Sequence, residues 1–297
     1  MTIGSINLVI IKRVTTDFPY VLEDTVHAVK SLLERGGIKA FISYNNIDPT
    51  IINIVFGIGA PLTVPISEFR RVASPSNTII FNVEQIASTS SYITDEYVDL
   101  LSKYVTLDYS CENIKALRIL DGNRGVGFEF PIVPSPSFQS DYEKGAEKYN
   151  IQFDFAFYGA KVARRLPIFA ELEAANLRIK YISGFFGRLL APEILDCRAV
   201  LNLHAYESAL FEAGRCLRPL AMGIPVLSEV SVLPDVVDWR ESGVLFLEGQ
   251  FSQQAATAIK NSDLLQETAR AGIRFTSDLK WPELAVSVLD KACQMLH

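Results

Sequence analysis

Three basic side chains crowd one short segment, Phe157-Tyr-Gly-Ala-Lys-Val-Ala-Arg-Arg165. It follows an apolar run and opens a helical pattern, so Gly159 is expected to turn the backbone tightly and bring free N–H groups outward. Lys161, Arg164 and Arg165 then stand at a helix start. The macrodipole disfavours cations there unless an anion lies between them and the peptide dipoles. Phosphate or diphosphate binding is the chemistry this pattern suits. Its alternative is a pair of arginines in solvated salt bridges.

A second segment, Leu201-Asn-Leu-His-Ala-Tyr-Glu207, alternates Leu201 and Leu203 with polar residues. A strand here delivers Asn202, His204 and Tyr206 to its carboxyl end, where ligands bind in α/β sheets. The helical pattern that follows, Ser208 to Met222, sets Glu212 and Arg215 three apart on one face. Leu210, Leu217 and Ala221 point inward, and Gly214 permits close backbone approach. Glu212 suits bidentate bonding to two ribose hydroxyls, and Arg215 a phosphate oxygen. The alternative is an internal ion pair. His204 reads equally as a structural, a catalytic or a ligand-binding histidine. Met222-Gly-Ile-Pro-Val-Leu-Ser-Glu229 is a helix stop at Gly223, then a short strand ending in Ser228 and Glu229.

The first half offers carboxylates after apolar runs: Glu84 in Phe81-Asn-Val-Glu-Gln85, Asp108 in Leu107-Asp-Tyr-Ser-Cys-Glu-Asn113, and Asp17 in Arg13-Val-Thr-Thr-Asp17. With His204 these are the general-base candidates. Ser110 and Asn113 are acceptor-side candidates or helix caps. No GxSxG, Walker A, GxGxxG or HExxH motif occurs, which counts against those hydrolase, NTPase, dehydrogenase and metalloprotease classes.

Short β-branched runs alternating with helical patterns must position these groups, the signature of parallel sheets covered by helices. Strands are expected at Asn7–Ile11, Ile38–Tyr44, Ile52–Phe56, Thr78–Val83, Val105–Leu107 and Phe128–Ile132. A helix is expected through Leu22, Val26, Val29, Leu32 and Leu33. The Pro/Ser-rich stretch Pro131–Ser137 reads as a linker. The alternation then resumes, with strands at Phe153–Phe157, Leu177–Ile182, Ala199–Leu203, Pro225–Ser228 and Val244–Leu247 and helices at Arg164–Ala175 and Leu189–Cys197. The expected fold class is α/β: a first doubly wound domain over 1–134, a second over 135–280, and a C-terminal helix within 281–297 that braces the first. Such a pair faces a ligand cleft.

The 297 residues suffice for about two domains, and 49% of them are hydrophobic, which excludes a disordered or low-complexity chain. Lys and Arg number 28 against 34 Asp and Glu, a net charge of −6 that does not suit non-specific nucleic-acid binding. Cys111, Cys197, Cys216 and Cys293 form no CxxC pair and there are only three histidines, so neither a disulfide framework nor a zinc site is expected. The run Ile6–Ile11 is too short for a secretory signal, and no stretch approaches a spanning helix. A soluble cytoplasmic protein is the expectation.

Taken in order, the motifs resemble bacterial glycosyltransferases of the GT-B architecture, two facing Rossmann-like domains. They are Asn82, Glu84 and Gln85; Asp108 to Asn113; Phe157 to Arg165; Leu201 to His204; Glu212 and Arg215; and Gly223 to Glu229. The resemblance implies transfer of a sugar from a nucleoside diphosphate donor to an acceptor hydroxyl on a glycan or small molecule. The second domain would hold the nucleotide-sugar through Gly159, Lys161, Arg164, Arg165, Asn202, His204, Tyr206, Glu212, Arg215, Ser228 and Glu229. It also implies no cofactor and no obligatory metal, since helix dipoles and basic groups neutralise the leaving diphosphate. Arg218 stands where the common retaining signature has its second glutamate, so inverting and retaining outcomes both stay open. A nucleotide-sugar epimerase and a non-catalytic sugar-nucleotide or glycan-binding module are the alternative readings.

Overall fold

Apolar β-branched runs form two parallel sheets in a computed structural model of the protein, which describes residues 4–12, 19–59, 65–86, 93–132, 134–135, 138, 150–277 and 281–296. The chain divides into two units. One is Met1–Val133 with Pro234–Val237 and Leu279–His297, and the other is Pro134–Leu233 with Asp238–Asp278.

The first unit holds β1 (Ser5–Ile10), β2 (Lys39–Tyr44), β3 (Ile52–Phe56), β4 (Thr78–Asn82), β5 (Val105–Asp108) and β6 (Val126–Glu129), in the order β2-β1-β3-β4-β5-β6. Its helices α1 (Pro19–Arg35), α2 (Ile66–Val72), α3 (Asp95–Leu101) and α4 (Cys111–Asp121) follow the strands in the βαβ manner. One core cluster joins Val9, Val55 and Ile80 of the sheet to Phe69, Leu100 and Leu117 of the helices. Thr94 caps α3 by accepting from the Tyr97 N–H at 3.2 Å, and Gly122, at φ 69°, ends α4 in the left-handed conformation.

The second unit holds β7 (Phe153–Tyr158), β8 (Ile179–Ile182), β9 (Cys197–Asn202), β10 (Val226–Glu229) and β11 (Val244–Leu247), in the order β11-β10-β9-β7-β8. Its helices are α5 (Leu166–Ala174), entered through a 3-10 turn at Ala163–Arg165, α6 (Leu190–Ile194), α7 (Ala213–Ala221), α8 (Phe251–Ala258) and α9 (Ser262–Thr276). The last helix, α10 (Trp281–Gln294), belongs to the first unit and packs on α1. Gly223, at φ 68°, closes α7, with the Ile224 N–H donating to the Pro219 carbonyl at 2.8 Å.

Some segments depart from the sequence expectations. The helix expected over Ser208–Met222 begins only at Ala213. Leu210 instead bridges Val232, with the Phe211 N–H donating to the Val232 carbonyl at 3.0 Å. The helix expected over Leu189–Cys197 is confined to Leu190–Ile194, because Cys197 pairs with Phe153 in the sheet. The strand expected at Phe128–Ile132 lies at Val126–Glu129. In each case sheet pairing outweighs local periodicity. Among the described residues no helix is long and apolar enough to cross a membrane.

Candidate functional site

The strand order of the second sheet reverses between the parallel neighbours β7 and β9, the place where open α/β sheets bind ligands. Both strands end there in the segments singled out by their chemistry. Gly159 follows β7 at φ 138°, a conformation that favours glycine. A Cβ at this position would stand 3.1 Å from Nη2 of Arg215 and 3.5 Å from Nη1 of Arg165. The missing side chain is what lets two guanidinium groups lie over the turn.

Arg165 is 1% exposed. Its Nε and Nη2 donate to the Leu203 carbonyl at 3.0 and 2.6 Å, and Nη1 donates to the Ala160 carbonyl at 2.6 Å. It therefore ties the loop after β7 to the end of β9. Burial, and next Arg215, bring its pKa down to about 10. Glu212 sits at the N-cap of α7 and pairs with Arg215, and its Oε1 lies 3.6 Å from Nη2 of Arg165. Nη1 of Arg215 also donates to Oδ1 of Asn202 at 3.0 Å and to the Leu203 carbonyl at 3.1 Å. Nδ2 of Asn202 donates to Oγ of Ser228 at 2.9 Å, which joins β9 to β10.

Arg164 takes a different route. Its Nη1 donates to Oε2 of Glu229 at 2.9 Å and to the His204 carbonyl at 3.1 Å, and its Nε lies 3.5 Å from Glu207. The hydrogen bond to Glu229 is the main reason its pKa rises. The same Glu229 oxygen accepts from the His204 N–H at 2.7 Å. The conflict between cations and helix dipole read from the sequence is thus offset internally, by Glu229, Glu212 and strand-end carbonyls. Arg164 nonetheless keeps 28% of its side chain exposed and Arg215 14%.

His204 is buried, and its Nε2 lies 3.1 Å from both the Val230 carbonyl and Oγ of Ser231. The carbonyl accepts, so Nε2 carries the proton and Nδ1 offers a lone pair, which meets no partner among the described residues. Burial pushes its pKa below the usual histidine value. Lys161 is exposed and places Nζ 3.3 Å from the centre of the Tyr181 ring, apart from the guanidinium group. Tyr206 lies half-buried in the turn after β9. Gly214 does not serve close approach, since nothing described lies within 4 Å of where its Cβ would be. Sequence reasoning missed Ser231 and Tyr158, whose hydroxyl donates to the Arg215 carbonyl. Tyr158 lies within the Phe157–Arg165 segment but was given no role there, and Ser231 stands in no pattern that marks it.

The first unit has its own polar cluster at the carboxyl ends of β4 and β5. Asp108 is 1% exposed and accepts from Nδ2 of Asn82 at 2.6 Å, Nδ2 of Asn113 at 3.0 Å and the Ser110 N–H at 2.9 Å. Burial pushes its carboxyl up to about 7 against these lowering contacts. Glu84 is half-buried and its pKa is raised by burial. Ser110 precedes α4 without capping it through its side chain, and Asn113 lies in the first turn. Asp17 lies outside the described residues.

One group of potential metal ligands occurs among the described residues: Cys111, Glu129 and Asp235, with donor atoms within 4.8 Å of one another. Their polar groups already pair internally. The Cys111 thiol donates to Asp235 at 2.9 Å, and Glu129 accepts from the Asp235 N–H at 2.8 Å. Burial and the neighbouring carboxylates push the thiol up to about 12, which opposes the thiolate a metal requires.

Comparison with known proteins bears on the fold. No protein-family model matches the chain. It is 27% identical over 243 residues to uncharacterized protein L137 of Acanthamoeba polyphaga mimivirus, a match spanning 76% of this chain and 32% of that protein. It is 25% identical to uncharacterized protein L140 of the same virus, over 57% of this chain and 54% of that protein. The chain thus spans about a third and about half of these curated relatives. Among solved structures, T4 phage BGT in complex with its UDP-glucose substrate superposes with a TM-score of 0.63 at 11% identity, covering 98% of this chain and 100% of that one. Anabaena Alr3699/HepE in complex with UDP gives 0.55 at 11% identity, again over 98% and 100%.

The chain has the GT-B fold. At 11% identity the shared feature is the course of the backbone. A GT-B fold supplies two Rossmann-like sheets, and the arginine–glutamate constellation lies at the strand-order reversal of the second.

Proposed function

We propose that the protein is a glycosyltransferase that moves a sugar from a nucleoside diphosphate donor to an acceptor hydroxyl. The observation that carries this reading is the convergence of Arg164, Arg165 and Arg215 with Glu212 and Glu229 where β7 and β9 end. Arg165 is the buried brace of this arrangement. Arg164 and Arg215, whose side chains are part-exposed, are the groups proposed to meet the diphosphate and to stabilise the charge that grows on it as the sugar leaves. Glu212, its carboxylate oriented by Arg215, is proposed to take the ribose hydroxyls. Gly159 opens space for the phosphates, while Asn202 and Ser228 fix the strand ends.

Support from outside the chain comes from the UDP-glucose and UDP complexes of proteins with the same fold. The charge balance proposed here rests on arginines alone. T4 phage BGT has also been seen in complex with UDP and Mn2+, so activity is to be compared with and without a divalent cation. The proposed acceptor is a glycan or a small molecule, and the proposed location is the cytoplasm. Because the T4 enzyme is described as DNA-modifying, duplex DNA belongs in the acceptor panel.

Calorimetry with UDP, UDP-glucose and a panel of other nucleotide-sugars tests the donor site. Binding of at least one at micromolar to low millimolar concentration is expected. Failure of all to bind at millimolar concentration removes the donor assignment. Unchanged affinity in Glu212→Ala removes the ribose role.

A further inference from the structure

The amino ends of β4, β5 and β6 lie a strand's length away from the polar cluster at their carboxyl ends. Three turns lead into them, 74–76, 102–104 and 124–125, and together with Met295 they border a cavity of about 450 Å³. Its walls are tied to one another. The Tyr104 hydroxyl donates to the Ala73 carbonyl at 2.9 Å, which joins the second turn to the start of the first. A Cβ on Gly125 would stand 2.6 Å from Oδ2 of Asp121 and 3.2 Å from Cα of Ser102, so glycine is what lets the third turn close on the second. Asp121 holds it there, with Oδ2 accepting from the Gly125 N–H at 2.7 Å and Oδ1 from the Arg124 N–H at 3.2 Å.

Among the described residues no carboxylate lines this cavity. Arg124 does, and its guanidinium is anchored by Nε, which donates to the Asp121 carbonyl at 2.6 Å. Its two Nη groups meet no partner among the described residues. Lys103 donates to Asp99 at 2.8 Å, but Asp99 also accepts from Arg70 at 2.7 Å, so two cations share one carboxylate. The hydroxyls of Ser74 and Ser76 lie 2.9 Å apart, so one O–H serves the pair and the other remains a donor. Uncompensated positive charge and free donors thus collect at one cavity, whose remaining wall is formed by Tyr104, Val126 and Met295. A guanidinium fork beside hydroxyl donors matches the oxygens of a phosphate group, and the volume suits a small molecule.

We propose that these three turns form a binding site for a small organic phosphate. Its phosphate group meets Arg124, Lys103 and the serine hydroxyls, and its carbon body packs against Val126 and Met295. Met295, at 50% exposure, is a large apolar side chain that the fold leaves for such a contact. The site lies wholly within the first unit and makes no use of the arginines at the ends of β7 and β9. Both cations are solvent-exposed, so binding is expected to weaken as salt is added.

The test uses the full chain, labelled for amide NMR, with phenyl phosphate, inorganic phosphate and phenol as probes at low salt. Phenyl phosphate is expected to bind with a Kd of about 1 mM or tighter and to shift the amides of Ser76, Lys103 and Arg124. Inorganic phosphate is expected to bind the same place at least about threefold more weakly, and phenol weaker still. Arg124→Gln is expected to weaken phenyl phosphate about tenfold, and Ser76→Ala, which leaves every backbone contact in place, about threefold. Met295→Ser is expected to weaken phenyl phosphate and leave inorganic phosphate unchanged. Arg71→Gln is the control, since that side chain is 76% exposed and does not line the cavity. Arg164→Ala is expected to leave the shifts at the three amides as in wild type, which separates this site from the proposed donor site. Absence of shifts there at about 10 mM of either phosphate, shifts confined to the second unit, or wild-type affinity in Arg124→Gln each overturns the proposal. Inorganic phosphate or phenol bound as tightly as phenyl phosphate overturns the ligand class.

Discussion

Gly159 and Arg215 meet with no side chain between them: a Cβ on the glycine would stand 3.1 Å from the guanidinium Nη2. The close approach and the backbone φ of 138° impose the same residue type. Gly159→Ala is therefore expected to destabilise the protein by about 1–3 kcal/mol and to weaken UDP-glucose binding by displacing Arg215. Gly214→Ala is the control. It lies in α7 with open space about it, so alanine there is expected to stabilise by about 0.5–1 kcal/mol. Urea midpoints for the two variants should move in opposite directions, and movement in the same direction refutes the assignment.

Arg164 and Arg165 are adjacent in sequence and differ in what their loss should do. Arg164, part-exposed and paired with Glu229, is proposed to touch the donor. Arg164→Ala should weaken UDP affinity about 10- to 100-fold, the equivalent of a charge-assisted bond of about 1.5–3 kcal/mol. Arg165→Ala leaves the Leu203 and Ala160 carbonyls without their donors, and its main effect should be on stability. Calorimetry and urea unfolding of both variants separate the two roles. An Arg164→Ala protein that binds UDP as wild type does would remove Arg164 from the donor site.

Asp108 gives stability a specific pH signature. Its carboxyl is pushed from 3.8 up to about 7 by burial, so between these values the folded protein binds a proton that the unfolded chain has released. The contribution is fully present below pH 3.8 and is lost as pH rises through about 7. Wild type is expected to lose on the order of 2 kcal/mol relative to Asp108→Asn between pH 5 and 8. Parallel stability curves for the two proteins would show that Asp108 does not titrate in this window.

His204 acts with the opposite sign. Its pKa is depressed by burial, so its contribution is present above the unfolded value of 6.5 and is lost as pH falls through the folded one. NMR of the imidazole is expected to show a neutral ring at pH 6.5, protonated on Nε2. A ring half charged at that pH would contradict the buried environment.

Arginines carry the proposed charge neutralisation, so removing divalent cations with EDTA should leave UDP release from UDP-glucose within about twofold of the untreated rate. Restoration of a lost activity by Mn2+ would instead give the metal that task.

How much of this was legible beforehand differs from residue to residue. Alternating β-branched runs and the helix stop at Gly223 are local properties, and the parallel α/β fold follows from them. So does the delivery of Asn202 and His204 to a strand end, because the side-chain period of a strand is built into its backbone. The basic cluster around Arg164 was visible as a contradiction of the helix dipole. Which arginine is a brace was not visible, because the burial of Arg165 depends on the Leu203 carbonyl 38 residues later in the chain.

The start of α7 was misplaced for the same reason: Leu210 answers to Val232, a partner no local window contains. Glu84 and Asp108 had the same standing as carboxylates after apolar runs. Only the tertiary structure separates them, by closing two amides and a peptide N–H over Asp108 and leaving the carboxyl of Glu84 without a described partner. The sequence by itself determined which chemical groups reach the strand ends, through backbone periodicity. Folding decided which of them are consumed in holding the others, because desolvation and hydrogen-bond closure depend on neighbours distant along the chain.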